Sequence, residues 1–289
     1  MTPENCTVGV IGFGIMGASM ARNIAKGGCR VLGASRSPEK VTALAPEGIV
    51  PSSLAEIAAQ CRVVLLSVTN GASVEDVLFG PEGIARTIAP GSLIIDTTTI
   101  APDEARALCE RCEARGLKMV DAPVTGGDVG ARNGTLTIMC GGSSDSFKEA
   151  LPILQLIGKR ILHIGGPGMG QAMKAVNQVG IGLGIVAMTE SLLLAESQGI
   201  DSAVALEILQ SGSAGSWAFS NYAPRLLAGD LQPGFGAVHM LKDLKIALAI
   251  AKSEGRALPG LETTTTLFEQ LIEARQGVGN HALIEAYRR

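Results

Sequence analysis

Aromatic residues are scarce in this sequence, with one Trp, two Tyr and six Phe among 289 residues. A protein that stacks nucleobases needs aromatic faces beside a basic surface. The basic surface is missing too, since 24 Lys and Arg stand against 27 Asp and Glu, so nucleic acid is not an expected partner. Histidine occurs only at 163, 239 and 281. None of these sits in a nucleophile motif, which disfavours a Ser-His or Cys-His hydrolase. The six cysteines, at 6, 29, 61, 109, 112 and 140, place only Cys109 and Cys112 close together. No second pair completes a zinc site, so free thiols and no bound metal are expected. The segment MTPENCTVGVIG lacks a basic stretch followed by an apolar one, and a cytoplasmic location is the expectation. The run from Val176 to Ala195 is long, but Asn177, Gln178, Thr189, Glu190 and Ser191 interrupt it. It reads as a helix buried in protein rather than a membrane span.

What is present is a chain too long for one ordinary domain of roughly 100 to 200 residues. From residue 7 to about 164, short β-branched runs (TVGVI, RVLGA, VVLLSV, SLIID, KMVDAP, LTIMC, ILHI) alternate with helical stretches near 15–26, 54–60, 102–115 and 145–157. That alternation predicts βαβ units, hence an α/β Rossmann domain with a mostly parallel sheet over residues 1–166. A Gly/Pro cluster at 165–168 ends the pattern. Beyond it only helical periodicities follow, near 170–198, 201–210, 217–228, 237–254, 261–276 and 280–287, so residues 167–289 are expected to be an all-α domain opening with a long helix.

The first βαβ unit carries GFGIMG, with Gly12, Gly14 and Gly17 in G-x-G-x-x-G spacing around Ile15 and Met16. Gly12 permits the tight turn, Gly14 lets backbone approach a pyrophosphate, and Gly17 lets the helix pack on the sheet. The phosphates then meet the helix N-terminus. After the second strand, where NAD binders place a carboxylate, the sequence reads GASRSPEK. Ser35 and Arg36 suit a 2′-phosphate, so NADP(H) is favoured, with NAD(H) as the alternative cofactor.

Two later stretches suggest chemistry. DAPVTGGDVG follows a strand and sets Thr125, Gly126 and Gly127 in succession, a hydroxyl and open amides that can hold a small carboxylate. GMGQAMKAVNQ carries Lys174, the one lysine between Arg160 and Glu190, with Asn177 and Gln178 on its helical face by i, i+3, i+4 spacing. Gly170 is expected to leave room beside that lysine. At the head of an apolar helix after the domain boundary, the ammonium is expected in an interdomain cleft. There it could protonate a carbonyl oxygen as hydride reaches the carbon, a step worth about 10² to 10⁴ in rate.

GVIGFGIMG, DAPVTGG, GMGQAMKAVNQ and GFGAVHMLKDL, in that order, resemble the β-hydroxyacid dehydrogenase family, of the 3-hydroxyisobutyrate dehydrogenase and tartronate semialdehyde (2-hydroxy-3-oxopropionate) reductase type. The resemblance covers nearly the whole chain. It implies a lysine general acid/base at Lys174 with Asn177 and Gln178 as polar partners, where many members have two asparagines. It also implies a substrate-carboxylate loop at Thr125, Gly126 and Gly127. Val68, Thr69 and Ser73 match a cofactor loop, Thr69 standing for a frequent proline, and Thr99 matches a position near the nicotinamide. Phe235, Lys242 and Asp243 match a late cofactor motif. Without the resemblance, Lys242 and Asp243 read as a solvated helix face. The expected activity is reversible hydride transfer between NADP(H) and a small β-hydroxy acid or its semialdehyde, succinic semialdehyde or glyoxylate reduction being variants. A homodimer or homotetramer built through the helical domain is also implied. A non-catalytic dinucleotide-binding sensor or scaffold is the competing reading, against which the lysine, its polar neighbours and the carboxylate loop weigh. A methyltransferase also uses a Gly-rich first turn, but the lack of an acidic residue after the second strand and the all-α second half disfavour it.

Overall fold

The computed structural model describes residues 6–288. The chain divides into two compact units, one ending at Lys174 and the other starting at Ala175.

The first unit runs β1 (Thr7–Ile11), α1 (Ile15–Lys26), β2 (Arg30–Ala34), α2 (Pro38–Thr42), β3 (Ile49–Pro51), α3 (Leu54–Gln60), β4 (Val63–Leu66) and α4 (Gly71–Phe79). It continues through β5 (Leu93–Asp96), α5 (Pro102–Glu113), β6 (Lys118–Asp121), β7 (Val124–Thr125), α6 (Gly127–Asn133), β8 (Leu136–Gly141), α7 (Ser144–Ile157) and β9 (Gly158–Gly165). All nine strands form one sheet in the order β3-β2-β1-β4-β5-β6-β8-β7, with β9 pairing β8. Strands β3 to β6 along this order are parallel, β8 runs antiparallel to β6 and β7, and β9 is parallel to β8. The expected mostly parallel Rossmann sheet is therefore present.

Its central strands are buried on both faces, which is why they read as unbroken apolar runs such as VVLL in β4. One face packs Met20, Ile24, Ile153, Leu154 and Ile157 of α1 and α7 against Val8, Val10 and Leu65. The other packs Ile57, Val74, Leu78, Leu108 and Cys112 of α3, α4 and α5 against Leu32, Val64 and Ile94. Alternate residues of each strand thus serve opposite helical layers.

The separation of β6 from β7 has a local cause. Asp121 lies opposite Gly141, Val124 opposite Ile138 and Thr125 opposite Thr137, which is one unbroken antiparallel register along β8. Met139 N–H donates to the Pro123 carbonyl at 3.0 Å within it. Pro123 has no N–H to return, so the ladder loses a rung and the strand divides in name only.

Helix α8 (Met169–Ser197) starts in the first unit and carries the chain into the second, which adds α9 (Ser202–Ser211), a π turn (Ala218–Tyr222), α10 (Ala223–Leu227), α11 (Ala237–Ser253), α12 (Pro259–Ala274) and α13 (Ile284–Tyr287). No strand occurs among the described residues of this unit. Its core gathers Ile185, Met188, Phe219, Met240, Leu244, Phe268, Leu271 and Leu283. By length and composition α8 could cross a membrane, and within it Gln171, Lys174, Gln178 and Thr189 are buried polar residues.

Five elements lie outside the sequence expectation: β3, β7, α2, α4 and α6. Each is short or poor in intrinsic propensity. The segment from Thr125 to Asn133, expected as a loop, is a strand end followed at once by α6, whose sequence GDVGARN is held by packing rather than by propensity.

Candidate active site

The Gly-rich turn occupies the point where the strand order reverses, since β1 lies between β2 and β4. Gly12 N–H donates to Ala34 O at 2.9 Å and Ser67 N–H donates to Ile11 O at 2.9 Å, so the ends of all three strands are tied together. The three glycines separate by role. Gly12 has φ +99°, and a Cβ there would lie 2.2 Å from Ser67 O. A Cβ on Gly17 would lie 2.0 Å from Gly12 O. Around Gly14 no atom stands within 4 Å of such a Cβ, and Gly14 caps α1 without a side-chain hydrogen bond. Two glycines are thus required by the protein's own packing, while the third opens onto space beside bare helix amides. That arrangement fits a dinucleotide pyrophosphate.

The loops after β2 and β4 meet through a side chain: exposed Arg36 donates from Nη2 to Thr69 Oγ1 at 3.4 Å. Ser35 Oγ accepts from Ser37 N–H at 3.2 Å. Val68 N–H donates to Thr98 Oγ1 at 3.1 Å, and Asn70 Oδ1 caps α4 by accepting from Ser73 N–H at 2.9 Å.

The start of α8 is gripped by the segment that follows β5, by the last residue of β6 and by the residues after it. Asp121 accepts from Gly168 N–H on Oδ1 and from Gln171 N–H on Oδ2, both at 2.9 Å. Burial pushes the Asp121 carboxyl above the usual carboxylate range, while these backbone amides act against that rise. Gln171, 1% exposed, accepts from Ile100 N–H at 3.1 Å and donates to Thr98 O at 2.7 Å, bracketing Thr99. Lys174 is 7% exposed, and its Nζ donates to Val124 O at 2.9 Å. The lysine is therefore fastened to the residue immediately before Thr125. Beyond Thr125 the backbone turns through Gly126 at φ +122° and Gly127 at φ +65°, conformations that favour glycine. The space around Gly170 is filled, contrary to the expected room beside the lysine. A Cβ there would lie 2.4 Å from Met139 O and 2.7 Å from Asp121 O. This glycine lets the helix start press onto the sheet.

In the second unit, Asn177 Nδ2 donates to Gln178 Oε1 at 2.9 Å, and Gln178 Nε2 donates to Asp243 Oδ2 at 2.7 Å. Lys242 Nζ pairs with Asp243 Oδ1 at 2.9 Å. Asp243 is 2% exposed, so the reading of this pair as a solvated face is wrong for the aspartate. Phe235 is half-buried, with its ring 6.1 Å from that of His239.

Sequence reasoning missed Asp121 and Gln171. Both lie inside quoted motifs, and the available signal was a polar side chain within an apolar stretch, three residues before Lys174 in the case of Gln171. All six cysteines are buried free thiols. Burial pushes the thiols of Cys109, Cys112 and Cys140 up to about 12, which keeps them protonated and inert.

Residues 7–165 match the NAD binding domain of 6-phosphogluconate dehydrogenase, and residues 168–287 match the NAD-binding domain of NADP-dependent 3-hydroxyisobutyrate dehydrogenase. The chain is 34% identical to 3-hydroxyisobutyrate dehydrogenase of Pseudomonas aeruginosa, over 97% of this chain and 98% of that one. It is 32% identical to 2-hydroxy-3-oxopropionate reductase of Escherichia coli, over 96% and 99%. The crystal structure of 3-hydroxyisobutyrate dehydrogenase from Salmonella typhimurium superposes with a TM-score of 0.91 at 30% identity, covering 97% of this chain and 99% of that one.

Proposed function

Because the chain belongs to the 3-hydroxyisobutyrate dehydrogenase family of NAD(P)-dependent hydroxyacid dehydrogenases, we propose that it moves hydride between NADP(H) and a small β-hydroxy acid or its semialdehyde, of the 2-hydroxy-3-oxopropionate or 3-hydroxyisobutyrate type. Bound at the Gly-rich turn, the nicotinamide cofactor supplies or accepts the hydride. The open space at Gly14 and the uncapped amides of α1 support pyrophosphate binding there, with Ile15, Met16, Val68, Thr69 and Ser73 lining the same end of the sheet. Arg36 and Ser35 favour a 2′-phosphate over a bare ribose, which supports NADP(H). Phe235, Lys242 and Asp243 complete the cofactor residues in this reading.

In reduction Lys174 Nζ gives a proton to the carbonyl oxygen, and in oxidation it takes one from the hydroxyl. Thr125, Gly126 and Gly127 hold the substrate carboxylate, with Asn177 and Gln178 as polar partners farther along α8. One observation carries the reading: the ammonium of Lys174 is buried and fixed on the Val124 carbonyl, one residue from the hydroxyl of Thr125. This bond supports a proton donor and an anion-binding loop that work as one unit. Lys174→Ala should lower turnover at least ~10²-fold while NADPH binding persists. The assay is a panel of semialdehydes and β-hydroxy acids run with both cofactors, and unchanged turnover would remove the lysine from this role. A higher kcat/KM with NADH than with NADPH would remove Arg36 from its own.

A homo-oligomer built through the helical unit is part of the proposal. Leu194 near the end of α8 and Val204 and Ile208 on α9 are exposed apolar side chains, and the proposal takes them as one contiguous patch of the kind that marks association surfaces. Light scattering on Leu194→Glu should report a smaller particle than the parent chain, and an unchanged mass would refute this surface.

A further inference from the structure

Most of the first turn of α8 is spent on holding other segments. Gln171 is the member whose side chain reaches a loop already assigned a place at the nicotinamide. Its amide accepts the N–H of Ile100 and donates to the C=O of Thr98, so both peptide groups flanking Thr99 are bound as a neighbouring strand would bind them. Its own backbone N–H is fixed on Asp121. Three residues later, about 4.5 Å along the helix axis, Lys174 is fixed on Val124. We propose that Gln171 is a positioning residue for hydride transfer, setting the spacing between the Thr99 segment and the ammonium of Lys174 through a single turn of rigid helix. The proposal rests on the assignment of Lys174 as proton donor.

The alternative for a buried glutamine is a purely structural one, in which it satisfies two loop peptides and nothing more. The two roles diverge in what is lost. Methionine at 171 has nearly the same length and fills the same space, but it leaves Ile100 N–H and Thr98 O without a buried partner. A structural role then costs stability alone. A positioning role also slows the chemical step, because displacement of about 1 Å at a reacting centre can cost about 10² in rate.

The test compares the wild type with Gln171→Met, Lys174→Ala and the double variant. Amide hydrogen exchange of the cofactor-free protein should show Ile100 losing protection in Gln171→Met. NADPH titration should give a Kd within about 3-fold of wild type, while kcat falls about 10- to 100-fold. With NADPH deuterated at nicotinamide C4, the isotope effect on kcat should grow as hydride transfer becomes limiting. In the Lys174→Ala background the same substitution should cost less than about 3-fold, since the spacing no longer serves a proton donor. If Gln171→Met fails to fold, Gln171→Glu, which keeps an acceptor for Ile100 and loses only the donor to Thr98, takes its place; the Ile100 amide then stays protected, and the expectations for Kd, kcat, isotope effect and the Lys174→Ala background are unchanged. Exposure of the Ile100 amide with kcat and isotope effect unchanged would overturn the proposal, as would an equal cost in both backgrounds. Lys174→Ala with full turnover overturns the reading beneath it, and is recognised separately because it does not involve residue 171.

Discussion

Replacing Asp121 by alanine should destabilise the first unit by about 2–6 kcal/mol. The figure follows from two buried amides, Gly168 N–H and Gln171 N–H, each 2.9 Å from the carboxylate and each costing about 1–3 kcal/mol when left unpaired away from water. Asp121→Asn separates the hydrogen bonds from the charge. It keeps one carbonyl oxygen as acceptor and turns an amide nitrogen toward the other N–H. The charge itself is a cost to the folded chain, because burial raises the Asp121 pKa above its ordinary value. A carboxyl whose pKa is raised by folding contributes stability fully below its unfolded pKa and loses it as pH rises through the folded one. At pH 7.5 both variants are spared that loss, and asparagine also keeps an acceptor for one of the two amides, so it should be destabilised less than alanine. Urea unfolding followed by far-UV circular dichroism gives the two differences, and hydrogen exchange at Gly168 and Gln171 localises them. A loss below about 1 kcal/mol for Asp121→Ala, or unchanged protection at both amides, would refute the reasoning.

The glycines of the phosphate turn predict opposite phenotypes. Gly14→Ala meets no atom within 4 Å, so the melting temperature should hold while the NADPH Kd rises at least ~10-fold, the methyl group standing where phosphate approaches; a variant that binds normally refutes the assignment. Gly17→Ala drives a methyl to 2.0 Å from Gly12 O and should cost about 1–3 kcal/mol even without cofactor, read by the same urea titration. His281 predicts a pH effect in the second unit. It is fully buried, donates from Nε2 to Asp230 O at 2.7 Å, and has its pKa lowered first of all by burial. The unfolded chain therefore takes the proton first, and stability present above pH 6.5 is lost as pH falls below it. His281→Gln, which keeps a donor for Asp230, should flatten the fall in urea midpoint between about pH 7.5 and 5.5; an equally steep fall would show that other groups cause it.

The parts of the fold that could be read in advance are those where one physical signal dominates. VVLL and the first three residues of LIID are apolar because both faces of β4 and β5 are covered. The Gly12, Gly14, Gly17 spacing has a meaning only after a strand and before a helix, and both were recognisable. β3 and α6 were not, since IVP and GDVGARN carry little preference of their own and take shape from neighbouring elements. At the site, Lys174 stood out as a charge in an apolar run, whereas Gln171 is significant only through Thr98 and Ile100, some seventy residues away. Asp243 misled for the converse reason: beside Lys242 on a helix it looks solvated, and its burial depends on Gln178 and the packing of the helical unit.

The unbroken register from Asp121 to Thr125 against β8 limits how this protein can change over evolutionary time. One residue inserted or deleted at Ala122 or Pro123 would slip Val124 and Thr125 by one step, carrying the Thr125 hydroxyl to the opposite face of the sheet and removing the Val124 carbonyl from Lys174. Within these five positions the chain can vary by exchange of side chains but not by change of length.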